Sequence, residues 1–254
     1  MNYLSKSLLM LASLVFIAGP AVAEGQGSAG QWTAGLIVST ENGHYAGIDS
    51  GATLLPYVSY DSARVHFSVT EGLAYHIRPA ADPMSEGTKL SVLLTPRLDP
   101  GLRTKGAFAT LDRDIAFELG LRGRHNMRNL FGEAEVLGDI SGVHNGYEAS
   151  AAVGVGFAVN RLQFEAKAGV RHRSKSLNQY MFGVSAAEAT ATWTAYNTKA
   201  TTTGFASLSG SYALRQNVIL VGEFSFEDLG RMENSPIVDE AANSTLNLGV
   251  LYRF

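Results

Sequence analysis

The chain has 254 residues, a formal net charge of −3 at pH 7 and no cysteine. This charge lacks the basic excess typical of nucleic-acid binding, and without thiols the chain can form neither a disulfide framework nor a thiolate zinc site. Beyond residue 23, no segment approaches the ~18 uncharged apolar residues of a transmembrane helix. These limits leave a secreted β-sandwich or a membrane β-barrel.

The N-terminus has the pattern of a secretory signal peptide. An apolar run of the right length follows Lys6. The residues of the predicted small-x-small cleavage site are Ala21, Ala23 and Glu24. Residues 1–23 are therefore predicted to be removed on export, and residues 24–254 to form one outer-membrane barrel domain, provided that the strand pattern excludes the sandwich.

Alternation of apolar and polar residues predicts strands in the first half of the chain. They cover residues 31–39, 54–60, 64–69, 73–78, 89–95, 115–121 and 132–140. Pro56 predicts a bulge or a strand start in the second of them, because proline cannot donate to a ladder. Residues 97–113 are predicted to form a loop, and residues 122–129 a basic turn.

The longest hairpin is predicted over residues 147–170, with its turn at Asn160 and Arg161. Each of its strands has about ten residues, which suffices to cross a bilayer at a tilt, whereas strands of soluble sandwiches usually have about five or six. The later strands are predicted over residues 178–184, 202–214 and 218–226. Tight turns alternate roughly with long polar loops, as they do on the two sides of outer-membrane barrels.

The end of the chain decides between the two fold classes. Counting back in twos gives an unbroken apolar row, Leu246, Leu248, Val250, Tyr252 and Phe254. In water the end of a chain frays, which would expose a terminal aromatic ring. In a closed barrel, by contrast, the last strand pairs with the first and the ring lies in the interfacial girdle. The sequence predicts an all-β, transmembrane, antiparallel up-and-down barrel of about 12 strands, with 10 as the alternative.

Landmarks along the whole domain resemble the MipA/OmpV family, the MltA-interacting proteins of Gram-negative outer membranes. They are Tyr45-Ala46-Gly47, Leu55-Pro56-Tyr57-Val58, Gly146-Tyr147-Glu148-Ala149-Ser150, Tyr180-Met181-Phe182-Gly183-Val184, Ser235-Pro236-Ile237-Val238 and the ending Leu248-Gly249-Val250-Leu251-Tyr252-Arg253-Phe254. The chain departs from the family pattern at Ile48, where a serine is expected, and at Met181, which interrupts an expected aromatic pair.

The resemblance implies a barrel in outer-membrane lipid that acts as a scaffold between a lytic transglycosylase and a peptidoglycan synthase, a penicillin-binding protein. It also implies that the apolar terminal strand ending in Phe254 is the signal read by the outer-membrane assembly machinery. The family supplies no catalytic motif to carry over to this chain.

Alternation also turns a balanced set of charged side chains toward the expected interior. The cations are Arg64, Arg78, Arg122, Lys167, Arg171 and Arg253, and the anions are Glu118, Glu133, Glu135, Glu148, Glu165 and Glu223. A selective pore would carry a surplus of one sign along its constriction, whereas balanced charges can pair and fill the lumen. The sequence favours a packed interior and leaves a narrow small-solute pore as the alternative.

A lipid esterase is the third hypothesis. His66 and Ser68 lie two residues apart on one strand face, which permits a hydrogen-bonded pair and is similar to outer-membrane esterases of the PagL and phospholipase A types. Those enzymes present the pair to lipid, but here Val65, Phe67 and Val69 occupy the lipid face. The histidines expected in solvent, without recognisable ligand spacing, are His44, His125, His144 and His172. No catalytic, cofactor or metal site is predicted.

Overall fold

A computed structural model describes residues 30–79, 86–99, 105–111 and 113–254. Within them, twelve antiparallel strands form a closed barrel in which every strand pairs with its sequence neighbours and the last pairs with the first. The strands are β1 (Gln31–Glu41), β2 (Gly51–Asp61), β3 (Val65–Ser68), β4 (Gly72–Arg78), β5 (Gly87–Arg97), β6 (Ala116–Met127), β7 (Leu130–Asp139), β8 (Tyr147–Val159), β9 (Leu162–Arg173), β10 (Thr201–Arg215), β11 (Val218–Asp228) and β12 (Ala242–Arg253). The predicted fold class and strand number are confirmed. The predicted cleavage site lies outside the described residues.

The last strand closes the barrel. β12 pairs with β1 from Thr33↔Arg253 to Glu41↔Thr245, and the backbone N–H of Phe254 donates to the Trp32 carbonyl at 2.9 Å. All five members of the predicted apolar row are exposed on the outer face, whereas the intervening Asn247 is buried in the interior. The period of two in the sequence therefore sorts lipid-facing from lumen-facing side chains.

The two ends of the barrel differ. At one end, here called the tight-turn end, short turns join β2 to β3, β6 to β7, β8 to β9 and β10 to β11. Arg128 and Asn160 adopt left-handed φ values of 54° in two of these turns. The opposite end, here called the loop end, carries the long connections that follow β1, β5, β7, β9 and β11.

Three local predictions are wrong. The β1–β2 register runs through Pro56↔Leu36 without a shift, so Pro56 marks neither a bulge nor a strand start. Residues 122–129 do not form a turn, since β6 continues to Met127. The predicted strand 178–184 is mostly a helix, α1 (Lys175–Phe182).

Helix α1 begins at Ser174, whose hydroxyl accepts a hydrogen bond from the Leu177 N–H and so caps the first turn. Leu177, Tyr180 and Met181 are all buried. Their spacing puts them on one side of a helix, which an apolar run of this length does not distinguish from a strand. Among the described residues, no helix is long and apolar enough to cross a membrane.

Candidate functional site

Charged side chains from five strands form an ion-pair layer in the lumen near the loop end. This upper layer consists of Arg97, Glu118, Glu148, Arg171, Arg173 and Glu227. The Arg173 Nε atom donates to Glu148 at 2.9 Å, and Arg171 Nε lies 3.3 Å from the same carboxylate. Arg97 contacts Glu118 at 2.9 Å and Glu148 at 3.5 Å. Arg171 and Arg173 both also pair with Glu227, so the three arginines and three glutamates balance.

A second layer lines the lumen nearer the tight-turn end. This lower layer consists of Arg122, Arg124, Glu133, Glu135, Glu165 and Lys167. Arg124 makes two hydrogen bonds to Glu165, at 2.7 and 3.2 Å, and its guanidinium lies 3.6 Å from the centre of the Phe131 ring. Lys167 donates to Glu133 at 3.2 Å, and Arg122 donates to Glu135. Three cations again face three anions, which leaves no surplus of one sign to select ions.

Most of the predicted interior charges lie in these layers. Glu223 also faces the interior, where it is 2% exposed, and Arg253 is half-buried near the tight-turn end. Two predictions need correction, because Arg64 lies exposed in the β2–β3 turn and Arg78 is exposed at the end of β4. A register irregularity after His76 pairs Arg78 with the outward Leu90, which removes Arg78 from the inner face.

Four members of the layers, Arg97, Arg124, Arg173 and Glu227, are not among the predicted interior charges. Arg97 lies in a predicted loop and Arg124 in a predicted turn. Arg173 and Glu227 lie just past the ends of predicted strands. Because Arg124 and Arg173 follow inward arginines by two residues, extending the alternation beyond the apolar stretch would have found both.

An apolar cap covers the loop end of the lumen. Its buried core includes Tyr45, Phe108, Phe182 and Ile237, which come from four different loops. Tyr45 is fully buried, with its ring edge-on to Phe108 at 4.6 Å and stacked with Phe182 at 5.8 Å. Backbone contacts hold the loops together, for example from the Ala46 N–H to the Ile237 carbonyl at 3.0 Å. The cap therefore acts as one packed unit.

His144 joins the cap to the upper layer. Its Nε2 atom lies 3.2 Å from Glu118, and its ring centre is 5.3 Å from that of Tyr180 in the cap. Met181 also lines the lumen cavity. The cap thus rests directly on the ion pairs. His144 and His44 are both buried, so the prediction that they lie in solvent is wrong for these two.

Arg113 fixes the loop that follows α1. Its guanidinium donates to the Tyr180 carbonyl at 2.8 Å and to the Gly183 carbonyl at 2.9 Å, and it pairs with Glu188. Burial by itself would raise the pKa of Glu188, but hydrogen bonds from Arg113 and the Ser185 backbone hold that pKa below its ordinary value. A depressed folded-state pKa stabilises the fold above the unfolded-state pKa, so this contribution is present at neutral pH and lost in acid.

The pair considered for an esterase is not hydrogen-bonded. His66 Nδ1 lies 2.6 Å from Asp61, whereas the Ser68 hydroxyl contacts Thr70 at 3.2 Å and accepts from the Glu71 N–H at 2.9 Å. Both side chains are buried on the inner face. The described part of the chain also contains no group of three or more histidine or acidic residues placed to hold a metal ion.

The tight-turn end carries a basic ring, here called the arginine rim. Its members are Arg64, Arg78, Arg128, Arg161 and Arg215, all exposed. None of the five forms an ion pair with another described residue. Two acidic side chains among the described residues of this end are also exposed, Glu86 and Asp61, whose side chain is 44% exposed and contacts His66. Because no rim arginine pairs with either of them, the rim remains a positively charged surface.

One family model and several solved structures are similar to this chain. A family model described as MltA-interacting protein MipA matches residues 34–254. The chain is similar to the NanC porin, with 10% identity and a TM-score of 0.44 over 87% of this chain and 98% of that one. It is also similar to an anion-selective porin from Comamonas acidovorans, with 8% identity and a TM-score of 0.36 over 89% and 99%. No curated protein matches closely enough to count as a relative.

Proposed function

Because this chain belongs to the MipA family of MltA-interacting proteins, we propose that it is a non-enzymatic outer-membrane scaffold. It would hold a lytic transglycosylase and a peptidoglycan synthase together at the periplasmic end of the barrel. The observation that carries this proposal is the neutralised and capped interior, since the charges of the two layers pair with each other and an apolar cap covers the loop end. Such an interior does not suit conduction, so we assign the scaffold role to the outer surface at one end of the barrel.

A small-solute pore fits this interior poorly. A conducting barrel needs a continuous polar path with binding weak enough for solutes to leave. Here the charges that could line such a path are bound to each other, and the cap core of Tyr45, Phe182 and Ile237 lies across the loop end. An esterase is also disfavoured, because Ser68 lacks the contact with His66 that would activate it.

Planar-bilayer recordings are expected to show no stable conductance for the purified protein. The reason is that opening a path would require breaking buried ion pairs and unpacking the cap together. NanC porin, reconstituted under the same conditions, is the positive control. Reproducible single-channel steps from this protein would contradict a closed lumen and restore the pore hypothesis.

The arginine rim is the surface best suited to partners. In outer-membrane barrels the tight turns face the periplasm, where enzymes acting on the cell wall would meet them. Arginine is enriched at protein interfaces, and the five rim arginines have no ion-pair partner among the described residues. The rim thus favours a partner with an acidic docking surface.

Replacing Arg128, Arg161 and Arg215 together by Gln is expected to weaken binding of a purified MltA-type transglycosylase by about tenfold at low salt. Fewer rim charges reduce electrostatic steering and the salt dependence of association. Binding would be measured in mild detergent at several salt concentrations. An unboiled gel, on which folded barrels migrate differently from boiled ones, would show that the variant is folded.

The matched control removes three cations from the loop end, Lys105, Lys175 and Lys199, which are also exposed. It should bind as the unmutated protein does. Equal losses of transglycosylase binding in both triple variants would show that net charge alone controls binding, and would overturn the role of the rim. Absence of binding by the unmutated protein would overturn the scaffold itself.

A further inference from the structure

The barrel wall has an opening on the loop side of the short β3–β4 hairpin. β3 pairs with β2 only from Ser59 to Asp61, and one further bond joins the Val69 N–H to the Val58 carbonyl. On the far side, β4 pairs with β5 only as far as Leu94. Residues 51–57 of β2 and 95–97 of β5 therefore face each other with no strand between them in the described part of the chain.

A proline lies on each side of this opening. Alternate residues of a strand direct their backbone groups to the same side. The Val58 carbonyl points toward the hairpin, where it accepts from the Val69 N–H. The nitrogen of Pro56, two residues earlier, therefore points to the same side, toward the opening. The Phe117 carbonyl accepts from Ile140 on the β7 side. Its partner Pro96 must therefore also point its nitrogen toward the opening. Both edges lack a donor there, which protects them from pairing with a foreign strand.

The opening has a defined lower and upper border. The β3–β4 turn forms the lower one, where Gly72 has a φ of 84° and a Cβ atom would lie 2.2 Å from the Leu94 carbonyl oxygen. At the upper border, the Ala107 N–H donates to the Ala46 carbonyl at 3.2 Å. Gly106, with a φ of 59°, permits this close approach. Beside the hairpin, β2 and β5 are three strand spacings apart, or roughly 14 Å. We call this opening the window.

The lumen cavity reaches the window. This cavity, of about 320 Å³, is lined by Thr70, Gly72 and Pro96 at the border. The cavity therefore extends from the charged interior to the border of the window. Large apolar side chains such as Leu54 flank the window on the outside, so bilayer chains would lie against it.

The charges just inside the window favour an ammonium group. Glu71 follows the window's lower edge, and its nearest described ion-pair contact, His66 Nε2, is 3.7 Å away, beyond hydrogen-bond distance. His66 itself contacts Asp61 at 2.6 Å. The nearby cations are already engaged, since Arg97 pairs with Glu118 and Glu148 and Arg122 with Glu135.

From this geometry we propose that the window admits the headgroup of an amine-bearing membrane lipid into the lumen, where Glu71 receives its ammonium group. The lipid chains remain outside, against the apolar wall. A charge-assisted bond from the ammonium to a partly desolvated carboxylate is stronger than a neutral hydrogen bond. This binding site is independent of the proposed scaffold function, because the arginine rim lies at the other end of the barrel.

The absence of cysteine allows a direct test with single-cysteine variants. Thr95→Cys places a fluorophore on the inner face at the window, since Thr95 pairs with the inward Glu118. Ser209→Cys is the matched control, also inward but in a wall paired on both sides. In phosphatidylethanolamine vesicles with brominated chains, quenching at Thr95→Cys should exceed that at Ser209→Cys several-fold. Equal quenching would overturn the window.

A second measurement tests the headgroup. Native mass spectrometry of the unmutated protein, released from mixed micelles, should retain phosphatidylethanolamine several-fold more than phosphatidylglycerol. Glu71→Gln should abolish that preference, whereas Glu240→Gln, at an exposed loop position, should preserve it. An unchanged preference in Glu71→Gln would overturn the assignment of the ammonium to Glu71. Transglycosylase binding should be unaffected by Glu71→Gln, which separates this proposal from the scaffold.

Discussion

Replacing Glu148 by Gln is expected to lower the free energy of unfolding of the barrel by about 3–5 kcal/mol, the usual cost of leaving a buried charge without its partner. Glu148 is 7% exposed and contacts Arg97, Arg171 and Arg173. Glutamine preserves the shape but removes the negative charge. Three guanidinium groups would then share two carboxylates within the upper layer.

Urea titrations in lipid vesicles would measure this effect through tryptophan fluorescence. The chain has two tryptophans, Trp32 in β1 and Trp193 packed against the cap, so one reports the wall and the other the cap. Glu240→Gln is the control at an exposed loop position and should change stability by less than about 0.5 kcal/mol.

A double variant separates charge imbalance from general damage. Adding Arg171→Gln to Glu148→Gln restores equal numbers of cations and anions in the upper layer. The combined loss should therefore be smaller than the sum of the two single losses, because residues in one network are coupled. An additive result, or a Glu148→Gln loss below about 1 kcal/mol, would show that water solvates the upper layer and replaces its ion pairs.

The sequence predicts the barrel because its strands repeat one simple rule. In β12, alternation alone separates the outward Leu248 from the inward Asn247. The same rule loses its signal near strand ends, where both faces become polar. Arg97 and Arg124 lie near such ends, so the sequence pattern predicts a loop and a turn there instead of strands.

The cap could not be predicted from local patterns. Tyr45 and Ile237 are far apart in the sequence, and nothing near either residue indicates that they pack together. The pattern also predicts a strand where helix α1 lies, because Tyr180, Met181 and Phe182 form a short apolar run that is compatible with both the helical and the strand period. The window exists because only a few residues of β3 pair with β2. The alternation of apolar and polar residues does not indicate how many residues of two neighbouring strands pair.

Changing Phe254 to Ser is expected to reduce the amount of assembled barrel in the outer membrane several-fold, if the terminal strand is the assembly signal. The Phe254 ring is 73% exposed and meets Tyr252 edge-on at 5.0 Å. The outward row presents apolar groups that a receptor can read before the barrel closes, and the aromatic end is its last member. Phe254→Tyr preserves the ring and should assemble normally. The measurement is the proportion of heat-modifiable protein in outer-membrane fractions.

Refolding of purified Phe254→Ser into lipid vesicles distinguishes recognition from stability. Because the ring has little packing inside the protein, and because the Phe254 N–H bond to Trp32 uses the backbone, the refolded variant should lose only about 1 kcal/mol. Poor assembly in cells with normal refolding would place the role of Phe254 in recognition by the assembly machinery. A large loss of both assembly in cells and refolding in vesicles would instead show that the ring anchors the closing strand. A normal level of assembled Phe254→Ser in cells would show that Phe254 is not part of the assembly signal.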